Sequence, residues 1–139
     1  MPTELGFEVT LPQPFDRALD ATRAALKDQG FGVVSEIDMR NAFREKLGLE
    51  FRPYVILGAC NPPLAHRAIT AHPDVGLLLP CNVTVEDAGA GRTTVRLVDP
   101  DVMLAGGAGD ARPVLREIAA DARARLDRVA AALRRVGAA

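Results

Sequence analysis

At 139 residues the chain has the length of one domain with a single core, and a single domain spanning 1–139 is expected. Apolar residues make up 48% and charged residues 25% of it, which excludes the polar, highly charged compositions that stay disordered. Seventeen basic residues against 18 acidic ones leave a formal charge of -1, so no overall field draws the chain to nucleic acid or to an anionic membrane.

The elements are taken in chain order. Leu5, Phe7 and Val9 alternate with Glu4, Gly6 and Glu8, the period-two pattern of a half-buried strand. After Pro12 and Pro14 the period becomes helical: Phe15, Ala18, Leu19, Thr22, Ala25 and Leu26 share one face of a helix over about 14–29, and Gly30 stands at its C′ position. Phe31, Val33, Ser35 and Ile37 then alternate in a second strand. Met39, Phe43 and Leu47 recur every fourth position, with Asp38 to cap and Gly48 to terminate a short helix over 39–47. Phe51 to Cys60 is almost wholly apolar after Arg52, the signature of a strand buried on both faces, by the body on one side and a partner subunit on the other. Asn61, Pro62 and Pro63 form a helix start, and the helix ends near Ala71.

Cys81, Val83 and Val85 alternate in a fourth strand, the turn formers of 87–91 come next, and Val95 and Leu97 continue in a fifth, giving a hairpin. A connection over 99–109 contains Gly106, Gly107 and Gly109 and reads as a hinge, with Asp110 placed to cap the last helix. Leu115, Ile118, Ala122, Leu126, Val129, Leu133 and Val136 keep steps of three and four to the end of the chain. Such a helix of about 26 residues is roughly 39 Å long, more than the width of five strands at about 4.8 Å each, so part of it is expected to overhang its sheet. The fold expected is α+β: an antiparallel sheet of about five strands in β-α-β-β-β-β-α order, a long C-terminal helix on one face, and two short inserted helices.

No basic and apolar leader stands at the N-terminus and no apolar run reaches the roughly 20 residues of a bilayer span, so the sequence reads as cytoplasmic and soluble, with no membrane partner. Cys60 and Cys81, the only cysteines, lie too far apart for a Cys-x-x-Cys pair and fit no four-ligand zinc pattern. Both are expected as free thiols in a reducing compartment.

Arg52-Pro53-Tyr54-Val55-Ile56-Leu57-Gly58-Ala59-Cys60-Asn61-Pro62-Pro63-Leu64-Ala65-His66-Arg67-Ala68, then Gly76-Leu77-Leu78-Leu79-Pro80-Cys81-Asn82-Val83-Thr84-Val85, then Asp99-Pro100-Asp101-Val102-Met103, closely resemble the family known as domain of unknown function 302, and Phe43-Arg44-Glu45-Lys46-Leu47-Gly48 fits the same pattern. The resemblance covers essentially the whole chain. It implies a fold similar to that of the TATA-box-binding-protein group. It implies no activity and no DNA binding, since function belongs to a site rather than to a fold.

Cys60 ends one strand and Cys81 begins the next, so the two thiols could stand opposite each other, within reach of a disulfide or of one soft metal ion. Cys60, Asn61, His66, Cys81 and Met103 are the candidate ligand-binding set, and Cys60, Cys81 and His66 the candidate metal ligands for copper(I) or zinc. Against this stands simple packing, because a free cysteine commonly behaves as a small buried hydrophobe. Pro62 and Pro63 remove two helix N-terminal donors, which weakens any anion or thiolate stabilisation beside Cys60. Asp99 and Asp101 could hold a cation but also suit a turn. The glycine-rich stretch lacks the Gly-Lys-Ser/Thr of a phosphate-binding loop, and no Ser-His-Asp or His-Glu-x-x-His pattern is present, so no catalytic residue is assigned. Three readings remain: a module binding a small ligand or soft metal ion, a thiol redox protein using Cys60 and Cys81, and a homodimeric interaction module whose contacts are the third strand and the overhanging end of the last helix.

Overall fold

A computed structural model describes residues 2–104 and 112–136. Five strands, β1 (Gly6–Leu11), β2 (Gly32–Asp38), β3 (Tyr54–Cys60), β4 (Cys81–Gly89) and β5 (Arg92–Val98), form one sheet in the order β1-β5-β4-β3-β2. Every pairing is antiparallel. The expected fold class is the one observed. Between the strands run α1 (Phe15–Asp28), α2 (Met39–Leu47), α3 (Pro62–Ala71), a 3₁₀ turn (Pro73–Leu78), α4 (Pro100–Leu104) and α5 (Arg112–Arg135). Among the described residues no helix is long and apolar enough to cross a membrane.

The local reasons for these elements are visible in their ends. Gly30, with φ of 83°, ends α1 in the left-handed region. The Asp38 carboxylate accepts from the Asn41 amide at 3.0 Å to start α2, and Gly48 stops it in the left-handed conformation. β1 lies two residues later than the alternation suggested: Phe7, Val9 and Leu11 are buried, whereas Leu5 is exposed. Alternation alone carries the pattern too far towards the N-terminus because Leu5 keeps the period while its side chain lies outside the core.

The core lies on one face of the sheet. Val55, Leu57, Val83, Val85, Val95 and Leu97 meet α1 through Ala18, Ala25 and Leu26, and α5 through Leu126, Val129 and Leu133. A second, smaller apolar cluster joins Leu64 and Ala68 of α3, Val75 of the 3₁₀ turn, and Leu115, Ile118 and Ala122 of α5. The long helix does overhang its sheet, but at the opposite end from that expected. Leu126, Val129 and Leu133 lie on the sheet with at most 1% exposure, and the N-terminal turns of α5 project beyond it, where the inserted α3 covers them. The apolar stripe at the C-terminal end is therefore consumed within the chain and is no partner surface.

Two further expectations change. β3 is not buried along the whole of both faces: Val55, Leu57 and Ala59 are covered by the helices, while on the other face Gly58 is buried against Ser35 and Pro80 but Tyr54 and Ile56 are only half-buried. β2 is an edge strand and mostly exposed despite its alternation. The hinge expected at Gly106, Gly107 and Gly109 and the cap at Asp110 lie outside the described residues.

Candidate functional site

Between the two apolar clusters lies a cavity of about 160 Å³, bounded by the ends of β3 and β4, by α3, α4 and α5, and by the 3₁₀ turn. Four of the five candidate residues line it: Cys60, Asn61, Cys81 and Met103. His66 does not. It sits on the exposed side of α3, as its wheel position at the edge of the apolar face implied, so the donor set Cys60, Cys81 and His66 is not brought together. Among the described residues no three His, Cys, Asp or Glu side chains are grouped to hold a metal ion.

The thiols lie on neighbouring strands but are not opposite each other. Cys81 pairs with Ala59, and Cys60, one residue further along β3, pairs with Gly32 of β2. Both reach the cavity because it lies past the strand ends. Cys60 is half-buried and Cys81 is buried. Burial first, and the neighbouring Cys60 second, push the Cys81 thiol up to about 11, so it stays protonated near neutral pH and is a poor attacking group. A disulfide would require the two strand ends to shift from the offset register.

Asn61 is held in place by the helix it starts. Its side-chain oxygen accepts from the Leu64 amide at 3.2 Å, and its backbone carbonyl accepts from the Ala65 amide at 2.9 Å. With prolines at 62 and 63, the N-terminus of α3 has no free amide to offer an anion. Met103 belongs to α4, in a stretch where the sequence pattern suggested only a connection. Asp99 and Asp101 hold that helix against α5: both carboxylates approach Arg123, at 3.5 and 3.1 Å. Their cation is thus the Arg123 guanidinium, which also stands over the Phe7 ring.

The rest of the lining, including Phe31, Val75, Leu104 and Ile118, was not legible from sequence. Its signal was weak because these residues come from separate segments and carry no polar group. The opposite face of the sheet carries a charged network that was also missed. Arg96 donates to Glu8 at 2.9 Å and to Glu86 at 2.5 Å, and Arg52 donates to Glu86 at 2.5 Å. Burial alone would raise the Glu86 carboxyl, but the hydrogen bonds from Arg96 and Arg52 outweigh it and hold it below the usual carboxylate range. The outward positions of β1, β4 and β5 were the available clue.

Comparison with known proteins places these features in a family. A solved structure described as an uncharacterized conserved protein DUF302 from Bacillus stearothermophilus is 30% identical, with a TM-score of 0.82 over 95% of this chain and 100% of that one. A comparison with curated proteins found no match. The family described as domain of unknown function DUF302 matches residues 7–133, and the chain belongs to it.

Proposed function

We propose that the chain binds a small ligand in the cavity bounded by Cys60, Cys81 and Met103. The observation that carries this reading is the cavity itself. An apolar recess of about 160 Å³ opens between two well-filled apolar clusters, the concave and mostly apolar form that small-molecule sites take. Ala65 is half-buried on α3 and lines the space. Native mass spectrometry of untagged protein is expected to show a retained molecule in the wild type and its loss in Ala65→Phe, whose ring would occupy the cavity. The same adduct in both proteins would refute the site.

A second reading is favoured by one specific observation: three sulfurs, from Cys60, Cys81 and Met103, line the same cavity. Two thiolates and a thioether are a soft set suited to copper(I) and, with no imidazole among them, less suited to zinc. Competition with a chromophoric copper(I) chelator tests this. A Cys60→Ser, Cys81→Ser double variant should lose the metal, and retention of full affinity would end the reading.

For partners, we propose a homodimer through the uncovered sheet face rather than through α5. That face places half-buried Tyr54 and Ile56 beside the Arg52, Arg96, Glu8 and Glu86 network, whose two cations and two carboxylates balance. A balanced face suits a second copy of itself and offers no attraction to nucleic acid. Sedimentation as a dimer that Ile56→Asp converts to monomer would support this, and a wild-type monomer at micromolar concentrations would exclude it. The free thiols agree with a cytoplasmic location.

A further inference from the structure

The chemistry of the cavity wall limits what it can hold. Among the described residues its lining is hydrocarbon and sulfur, with Asn61 as the sole side-chain amide and no charged side chain. The Asn61 oxygen is occupied by the Leu64 amide, the next amide by the Asn61 carbonyl, and the two prolines have none. The feature that most often makes a helix start attractive to a carboxylate or phosphate is therefore fully satisfied before any ligand arrives. Among the described residues a charged ligand would find no charged partner in this wall and only the Asn61 side-chain NH2 as a donor, so burying it costs more than the apolar contacts return. In size, the cavity is close to an engineered apolar cavity of about 150 Å³ known to take benzene.

Its opening is as informative as its wall. The pairing of β2 with β3 slips between Val33 and Ser35, leaving Val34 out of the ladder. A bulge of this kind re-aims the extra side chain. Val34 is 66% exposed and yet lines the cavity, and across from it Ile69 of α3 is 45% exposed and also lines it. Two large apolar side chains, one on the edge strand and one on the inserted helix, thus form an apolar rim where cavity and solvent meet.

Resting on the reading of this cavity as the binding site, we propose that its ligand is an uncharged apolar group, a single six-membered ring or an alkyl group of the same bulk, entering between the β2 bulge and α3 past Val34 and Ile69. The rim matches the wall in polarity. Cys60, half-buried beside Gly32 at the same end, borders the bound group without reacting with it.

Benzene, benzoate and benzylamine, equal in ring and different in charge, are the probes. Each is titrated into the full-length protein while methyl resonances of Ala65, Ile69 and Val75 are followed by NMR. Benzene is expected to shift these resonances, the two charged probes to leave them in place, and Ala65→Phe to lose the benzene shifts. A Val34→Trp, Ile69→Trp pair should slow benzene exchange, and Val34→Trp alone, at an exposed site, keeps the test available if the pair does not fold. Shifts from benzoate or benzylamine that Ala65→Phe abolishes would overturn the apolar class while leaving the cavity as a site. Benzene binding with unchanged exchange in the tryptophan variants would overturn the route. No response to any of the three probes would remove the site itself, and the inference with it.

Discussion

Stability at alkaline pH should report the burial of one thiol. Below pH 9.0, the ordinary value, Cys81 is protonated in both the folded and the unfolded chain and contributes nothing to the pH dependence. Above it the unfolded chain releases the proton, while the folded chain retains it up to about 11 because burial disfavours the thiolate. The folded state then binds more protons, and stability falls as pH rises. Two units at about 1.36 kcal/mol each give a loss of about 3 kcal/mol between pH 9 and 11. The assay is urea unfolding followed by circular dichroism, in reductant, at half-unit steps from pH 8 to 11, on the wild type and on Cys81→Ala. Other groups titrating in this range are common to both proteins and cancel in the difference, except for Cys60, whose charge contributes to the Cys81 shift itself. The wild type is expected to be the more stable at pH 8 through packing, and to lose most or all of that advantage by pH 11. Stability curves that stay parallel would refute the burial argument, and with it the claim that Cys81 is an unreactive wall of the cavity.

Leu133→Glu is expected to prevent folding rather than release a folded monomer, since Leu133 is 1% exposed against the sheet core and even truncation of such a residue costs about 2–5 kcal/mol; a folded, unchanged thermal transition would contradict the packing. Acid should weaken the sheet through Glu86: its depressed carboxyl contributes stability that is complete above its ordinary value of 4.5 and is lost as pH falls through the lower folded value, so Glu86→Gln should flatten the wild-type decline measured below pH 5. Gly58→Ala would place a Cβ 2.1 Å from the Ser35 hydroxyl oxygen and 2.8 Å from a Pro80 ring carbon, and the resulting drop in melting temperature should be partly recovered by adding Ser35→Gly.

How far the sequence could be read depended on whether a residue's role was decided locally. The starts and stops of α2 and α3 were legible because Asp38, Gly48, Asn61 and the two prolines act within one turn of themselves. The 3₁₀ turn and α4 were not, since Pro73–Leu78 and Pro100–Leu104 have no period long enough to register and are held by contacts with α3 and α5. Burial on β2 and β3 was misjudged for a different reason. Alternation shows which residues share a face, but only the strand order β1-β5-β4-β3-β2 shows that β2 is at an edge, and only the packing of α1 and α5 on one side of the sheet shows that Tyr54 and Ile56 of β3 stay half-buried. The stripe Leu126, Val129 and Leu133 was correctly read as apolar and wrongly given to a partner, because its period does not say which end of α5 rests on the sheet.

The same distinction bears on the site. β3 and β4 are antiparallel neighbours that a turn of about two to five residues could connect, yet residues 61–80 intervene and fold over the overhanging start of α5. Once that insertion exists, Cys60 and Cys81 at its two ends must be near each other, whatever their chemistry. Their proximity is a consequence of topology and by itself argues for no reaction. The residues that topology does not force are Val34, turned outward by a bulge, and Asn61 with its two prolines, which leave no free backbone N–H in the first turn of α3. A chain selected only for packing has no need of an apolar rim exposed to water or of a helix start closed to anions. These features, rather than the pair of thiols, carry the proposal that the cavity takes an uncharged apolar group.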